Sequence, residues 1–218
     1  MQTSNFESGL WADTAGPAPE TPPLAGSRQA DVIVVGGGYT GLSAALHLAE
    51  SGADVVLLEA ETPGFGASGR NNGQVIPAYT RHNPDDVVRE YGPEHGERLN
   101  SWVAGTADLV FDLIRRHDID CDAAQQGWLQ PAHAESRMAG LRAKHDQWAA
   151  RGAPVEMVDR DAMAKMTGSP IYHGGWMHRS GGHIQPLSYA RGLARAAIAA
   201  GASLHGRSPA LELRREGA

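Results

Sequence analysis

The chain has a single cysteine, Cys121, among its 218 residues, which excludes an internal disulfide framework and a cysteine-rich zinc module. One thiol suits a reducing compartment, so a cytoplasmic location is expected. No run approaches the roughly 20 apolar residues needed to cross a bilayer. The opening residues MQTSNFESGLWADTAGPAPETPPLAG have neither a basic start nor an apolar signal core, and no membrane partner is expected. Basic charge is also short: 19 Lys and Arg against 25 Asp and Glu leave a net charge of -6, which argues against a nucleic-acid partner. The ten His residues include no HExxH and no i, i+4 pair with a carboxylate, so no metal site is expected. Asp118-Ile119-Asp120-Cys121-Asp122 opens like a calcium loop, but Ala123 and Leu129 stand where that loop needs Gly and Glu.

Glycine, by contrast, is abundant, with 27 residues gathered mainly in three clusters. Residues 1–29, with Pro17, Pro19, Pro22 and Pro23 among small polar neighbours, read as an extended arm that Trp11 and Leu24 could pin to the body. Val32 to Val35 form a continuous β-branched run ended by Gly36-Gly37-Gly38, the pattern of a central parallel strand buried on both faces. Leu42, Ala45, Leu46 and Ala49 then recur at helical spacing up to Ser51-Gly52, and residues 54–59 form a second buried strand. Together these make a βαβ unit.

Beyond a glycine- and asparagine-rich loop at 62–78, the texture turns helical. Leu99, Trp102, Val103, Leu109, Val110, Leu113 and Ile114 mark a helix over about 94–117, and Met138, Leu141, His145 and Trp148 mark another. Short strands are expected at 128–131, 155–158 and 171–178, a helix at 186–200 and a strand at 203–213. This order of elements gives an α/β fold class. An incomplete Rossmann-like nucleotide-binding domain covers 30–80 and 186–218, with a mixed α+β lobe inserted at 81–185.

Gly36-x-Gly38-x-x-Gly41 sits at a strand-to-helix turn, the context in which such glycines cradle a pyrophosphate. The first permits the turn, the second lets backbone approach the anion, and the third lets helix and strand pack closely. The helix N-terminus adds unsatisfied N–H groups and partial positive charge. Glu59 ends the second strand 18 residues beyond Gly41, placed to accept hydrogen bonds from both ribose hydroxyls and to repel a 2′-phosphate. That favours FAD or NAD over NADP. The loop at 64–75 favours FAD. Gly64, Gly66, Gly69 and Gly73 permit close approach, while Ser68, Arg70, Asn71, Asn72 and Gln74 offer polar groups for the longer flavin end. The same residues could serve an ordinary surface turn. Gly66-Ala67-Ser68-Gly69 is one residue short of a nucleophile elbow, and its place after a second strand suits a cofactor loop better. Trp102, Trp128, Trp148 and Trp176 could line an amine pocket or fill a core.

ADVIVVGGGYTGLSAALHLAESGADVVLLEA followed by GFGASGRNNGQVIP closely resembles the D-amino acid oxidase (DAO) family of FAD-dependent oxidoreductases, in its amine-oxidising branch. The resemblance extends over most of the chain from about Leu24, and includes Trp11 and the segment Gly181-Gly182-His183-Ile184-Gln185-Pro186. It implies that Gly36, Gly38, Tyr39, Thr40 and Gly41 bind the diphosphate and Glu59 the ribose. Ser68, Arg70 and Asn71 would lie along the diphosphate and ribityl chain, with Gly73, Gln74 and Val75 near the flavin ring. Where relatives carry Arg-Asn-Gly-Gly, this chain has Arg70-Asn71-Asn72-Gly73, a change that a left-handed backbone would tolerate.

The implied reaction is oxidation of a C–N bond in an amine or amino acid, with hydride passing to flavin N5, dioxygen reoxidising the flavin and water hydrolysing the imine. No catalytic acid or base is identified. Family members continue past the strand matching 203–213, so a truncated, non-catalytic FAD-binding fragment needing a complementary C-terminal chain stays open. An NAD-binding dehydrogenase domain is the third reading.

Overall fold

The computed structural model describes residues 9–215. In chain order the helices are α1 (Leu10–Thr14), α2 (Tyr39–Glu50), α3 (Pro84–Arg116), α4 (Met138–Ala150), α5 (Arg160–Thr167) and α6 (Pro186–Ala199). The strands are β1 (Val32–Val35), β2 (Val55–Leu58), β3 (Gln74–Val75), β4 (Trp128–Pro131), β5 (Val155–Val158), β6 (Gly175–His178), β7 (Gly182–His183) and β8 (Ser203–His205). The described residues divide into two compact units, the first comprising 9–73, 113–122 and 184–215 and the second 74–112 and 123–183.

The first unit is built on a parallel sheet of order β1-β2-β8, with Val32 beside Val55 and Leu57 beside Leu204. Leu42, Ala45, Leu46 and Ala49 recur on one face of α2 and are all buried, together with Val55 and Leu57 of β2. Helix α6 packs along α2 and buries Leu187, Ala190, Leu193, Ala194 and Ala197. Its start is doubly specified. Pro186 occupies the first turn, where no amide donor is required, and the Gln185 side chain accepts from the Ser188 amide at 2.7 Å. Residues 113–122 belong to this unit because Ile119 packs on Gly192 of α6, where an added Cβ would come within 2.2 Å of Ile119.

Strand β1 differs from expectation. It lies at the edge of the sheet, and Ile33 and Val35 remain 57% and 56% exposed, so it is neither central nor covered on both faces. Val34 faces α2, whereas the opposite side of β1 has no cover among the described residues. The strand expected over 203–213 shrinks to β8, because the ladder to β2 ends at His205 and the backbone turns at Arg207 with φ 47°.

The second unit contains an antiparallel sheet of order β4-β6-β5 and a short antiparallel ribbon of β3 with β7. Trp148 of α4 and Trp176 and His178 of β6 are fully buried in it. The helix expected over about 94–117 is α3, which starts earlier and breaks at Gly92, with φ 79° and ψ 164°. Its inward line differs in part: Leu113 and Ile114 are buried as expected, but so are Asn100, Ala107 and Phe111, while Trp102 and Leu109 are exposed. Gly96 is also buried. An added Cβ there would lie 2.6 Å from the Val88 backbone, so the two segments of α3 approach at that glycine. Helix α5 is not expected from periodicity, yet its ends carry ordinary signals: Asp159 caps the Ala162 amide at 2.8 Å, and Gly168 closes it with φ 69°.

Candidate functional site

The glycine turn joins β1 to α2. Gly36 has φ +100°, a conformation open mainly to glycine, and its amide extends the ladder to the Leu58 carbonyl at 2.8 Å. An added Cβ at Gly41 would lie 2.0 Å from the Gly36 carbonyl oxygen and 3.3 Å from Val34. Only a residue without a side chain lets α2 approach β1 so closely. Gly38 stands at the helix N-cap in extended conformation with no side-chain cap, and the first turn of α2 carries no acidic residue. Among the described residues the Gly38 and Thr40 amides have no acceptor, which leaves donors and partial positive charge for an anion.

Glu59 follows β2 and reaches back to this turn. Its Oε2 accepts from the Gly37 amide at 2.5 Å, and its Oε1 from the Glu61 amide at 2.9 Å. The two bonds fix the carboxylate beside the glycine turn. A carboxylate has about four acceptor positions, so capacity is left for two hydroxyl donors.

The second glycine loop is attached to the same turn. Gly64 donates to the Gly37 carbonyl at 2.9 Å, and the Ser68 hydroxyl accepts from the Tyr39 amide at 3.0 Å. Gly64 and Gly69 lie against α6, where added Cβ atoms would come within 3.0 and 2.8 Å of Leu187. Asn71 organises the end of this loop: its Nδ2 donates to the Ser68 carbonyl at 2.9 Å, and its Oδ1 accepts from the Gly73 amide at 2.8 Å. Gly73 has φ +71° and passes so near Ile184 that a Cβ would lie 2.3 Å from that carbonyl. The Arg70 guanidinium sits 4.5 Å from the Phe65 ring centroid. Among the described residues the positive-φ residues other than glycine are Asp118, Asp122 and Arg207, so Asn72 needs no left-handed backbone.

Tyr39 links the turn to α6. Its hydroxyl donates to the Pro186 carbonyl at 3.0 Å, and its ring meets Tyr189 edge-on with centroids 5.2 Å apart. Burial pushes the phenol up to about 12, so it stays neutral at physiological pH and serves as a hydrogen-bonding group.

The first unit thus brings together Gly36, Gly38, Tyr39, Thr40, Gly41, Glu59, Ser68, Arg70, Asn71 and Gly73. Gln74 and Val75 fall in the second unit as β3, where Trp128 Nε1 donates to Gln74 Oε1 at 3.0 Å and Val75 is buried opposite Gly182. Three contributors escape a sequence reading of the site. The Gly37 amide orients Glu59, and Trp11 and Gln185 act on the second loop from distant segments. Gln185 carries one legible signal, its place before Pro186 at a helix start. The donor set, the acceptor carboxylate and the side-chain-free backbone suit a dinucleotide diphosphate and its adenosine ribose.

Residues 31–218 match the family described as "DAO: FAD dependent oxidoreductase". The chain belongs to this family. The DAO-family chain is 43% identical over 167 residues to gamma-glutamylputrescine oxidoreductase of Escherichia coli (strain K12), an alignment covering 76% of this chain and 39% of that protein. It is similar to the crystal structure of glycine oxidase from Geobacillus kaustophilus, with a TM-score of 0.65 and 25% identity over 82% of this chain and 46% of that one. L-amino acid deaminase from Proteus myxofaciens shares its fold, with a TM-score of 0.77 and 18% identity over 94% of this chain and 44% of that one. The DAO-family chain therefore spans less than half the length of these relatives. No helix among the described residues is long and apolar enough to cross a membrane.

Proposed function

We propose that the chain binds FAD and serves the oxidation of a C–N bond in an amine or amino acid. The observation that carries the dinucleotide reading is the Glu59 carboxylate held at 2.5 Å from the Gly37 amide, beside the exposed start of α2, and the family supports FAD as that dinucleotide. In this reading the turn of Gly36, Gly38, Tyr39, Thr40 and Gly41 holds the diphosphate, with the Gly38 and Thr40 amides as donors and the glycines allowing the close approach, and Glu59 accepts from the adenosine ribose. Ser68, Arg70, Asn71 and Gly73 extend along the diphosphate and ribityl chain, and Gln74 and Val75 serve the flavin end. The substrate class follows from the family and from the amine and amino acid named for its relatives.

FAD, when bound, supplies a two-electron acceptor for the hydride leaving the substrate α-carbon, with dioxygen as final oxidant, hydrogen peroxide as product and an imine that water hydrolyses. The residues of this chain contribute binding and orientation. Glu59 fixes the adenosine end, while Ser68 and Asn71 hold the second loop against the glycine turn. The neutral Tyr39 phenol ties that turn to α6 without moving a proton.

The test is to purify the chain, record its visible spectrum and identify the released cofactor by chromatography. A yellow protein releasing FAD supports the reading; retained NAD, or no dinucleotide under saturating FAD, overturns it. Peroxide release with a panel of amines and amino acids then tests turnover.

A second reading concerns catalysis alone: the chain binds FAD but turns over only with a complementary polypeptide. Ile33 and Val35, apolar and more than half exposed on the edge strand β1, favour it. Turnover by the isolated chain would dismiss it.

A further inference from the structure

The arm before β1 is bonded to the rest of the first unit along most of its described length. The Trp11 indole donates through Nε1 to the Asn71 carbonyl at 2.8 Å, across 60 positions of sequence. Gln185, 3% exposed, donates through Nε2 to the Trp11 carbonyl at 2.8 Å and to the Thr14 hydroxyl at 3.1 Å, while its Oε1 caps α6. Arg191 donates to the Gly16 carbonyl and Arg195 to the Pro17 carbonyl. Farther on, the Gly206 amide donates to the carbonyl of buried Thr21 at 3.2 Å, and the Leu24 amide to the Ser208 hydroxyl at 2.9 Å.

Asn71 is the point where this arm meets the candidate cofactor loop. Its carbonyl is held by Trp11. Its side-chain Nδ2 contacts the Ala67 and Ser68 carbonyls and the Tyr39 hydroxyl, and its Oδ1 takes the Gly73 amide. Ser68 in turn receives the Tyr39 amide. A continuous series of hydrogen bonds therefore runs from Gln185 through Trp11 and Asn71 to Ser68 and the first amide of α2.

We propose that the α1 arm is a latch, in which Trp11, oriented by Gln185, is a positioning residue that presets the 67–73 loop for the cofactor. The inference rests on the FAD reading for its purpose, though not for its structural content. Without the indole donor, the Asn71 carbonyl loses its link to the arm and the loop must be ordered by the incoming ligand, at the expense of affinity. Trp11 touches neither substrate nor cofactor in this account; it acts through Asn71.

Two variants separate the latch from general folding. Trp11→Phe keeps an aromatic ring and removes the donor. Gln185→Glu keeps an acceptor for the Ser188 amide but removes the donors to Trp11 and Thr14. Arg28→Ala, which cuts the exposed Arg28–Asp54 pair elsewhere, is the control. Hydrogen–deuterium exchange of residues 67–73 is measured without FAD, alongside FAD titration and thermal melting. In both latch variants exchange at 67–73 should quicken about three- to tenfold, the effect expected of one lost hydrogen bond, and FAD affinity should fall by a similar factor. The control should leave both unchanged, and exchange in β1 and β2 should stay at the wild-type rate in all three proteins. Unaltered exchange at 67–73 in the two latch variants overturns the proposal, as does quickening spread equally over β1 and β2. If the wild-type chain binds no FAD, the cofactor reading fails by itself, and the exchange comparison still decides whether the arm orders the loop.

Discussion

The Tyr39 amide donates to the Ser68 hydroxyl at 3.0 Å, so a side chain from the second glycine loop occupies one of the donors at the N-terminus of α2. The two glycine-rich segments, 29 positions apart at this contact, are thereby one construction. The Gly64 amide on the Gly37 carbonyl adds a second link between them. A diphosphate placed at α2 would meet donors already oriented by the second loop.

Replacing Glu59 by Ala should weaken FAD binding at least about tenfold, because it removes a charged acceptor and leaves the Gly37 amide without its partner. Flavin fluorescence titration of wild type and variant measures this. Equal affinity would place the ribose elsewhere.

Glycines in this chain should respond oppositely to alanine according to their surroundings. Gly41→Ala forces a Cβ to 2.0 Å from the Gly36 carbonyl oxygen, and should cost about 2 to 3 kcal/mol in urea unfolding. Gly105 lies within α3 with nothing within 4 Å of an added Cβ, so Gly105→Ala should stabilise by about 0.5 to 1 kcal/mol.

Acid should destabilise the second unit through His178. Its ring is fully buried against Trp148 and Trp176, with Nδ1 3.0 Å from the Ser180 hydroxyl, and burial lowers its pKa to about 4 despite the nearby Asp108. The unfolded ring takes a proton near pH 6.5 and the folded ring does not, so stability falls as pH drops from about 6.5 to about 4 and levels off below. The loss from this group is roughly 3 kcal/mol. Urea melts at pH 7.5, 5.5 and 4.5 should show it, and His178→Gln should remove that share of the pH dependence.

Cys121 should be inert in the folded chain. It is 3% exposed, and burial, with Asp120 and Asp122 on either side, pushes its thiol up to about 12. At pH 8 the native protein should resist iodoacetamide for hours, whereas the urea-unfolded chain reacts. Rapid labelling of the native chain would show that residues 113–122 open from the first unit.

Local order makes much of the chain legible without coordinates. The spacing of Leu42, Ala45, Leu46 and Ala49 determines α2, and the glycine spacing before it determines the turn, because both depend on contacts within a few residues. The β-branched run at Val32–Val35 determines a strand but not what covers it. A strand covered on one face and a strand covered on two can carry the same four residues, and only the neighbours decide. The inward line of α3 departs in part from its apolar pattern for a related reason: Trp102 and Leu109 satisfy the apolar period yet are exposed, while Asn100, Ala107 and Phe111 are buried along with Leu113 and Ile114.

The sequence by itself determined the βαβ start, the position of Glu59 at the end of β2 and the family to which the chain belongs. Tertiary structure alone decided that Gly37 orients that carboxylate, that Ser68 meets Tyr39, and that Trp11 reaches Asn71 across 60 positions. Hydrogen bonds between distant segments have no periodicity to betray them. Their partners are set by how the packed elements bring donors and acceptors to within about 3 Å, which is a property of the whole fold.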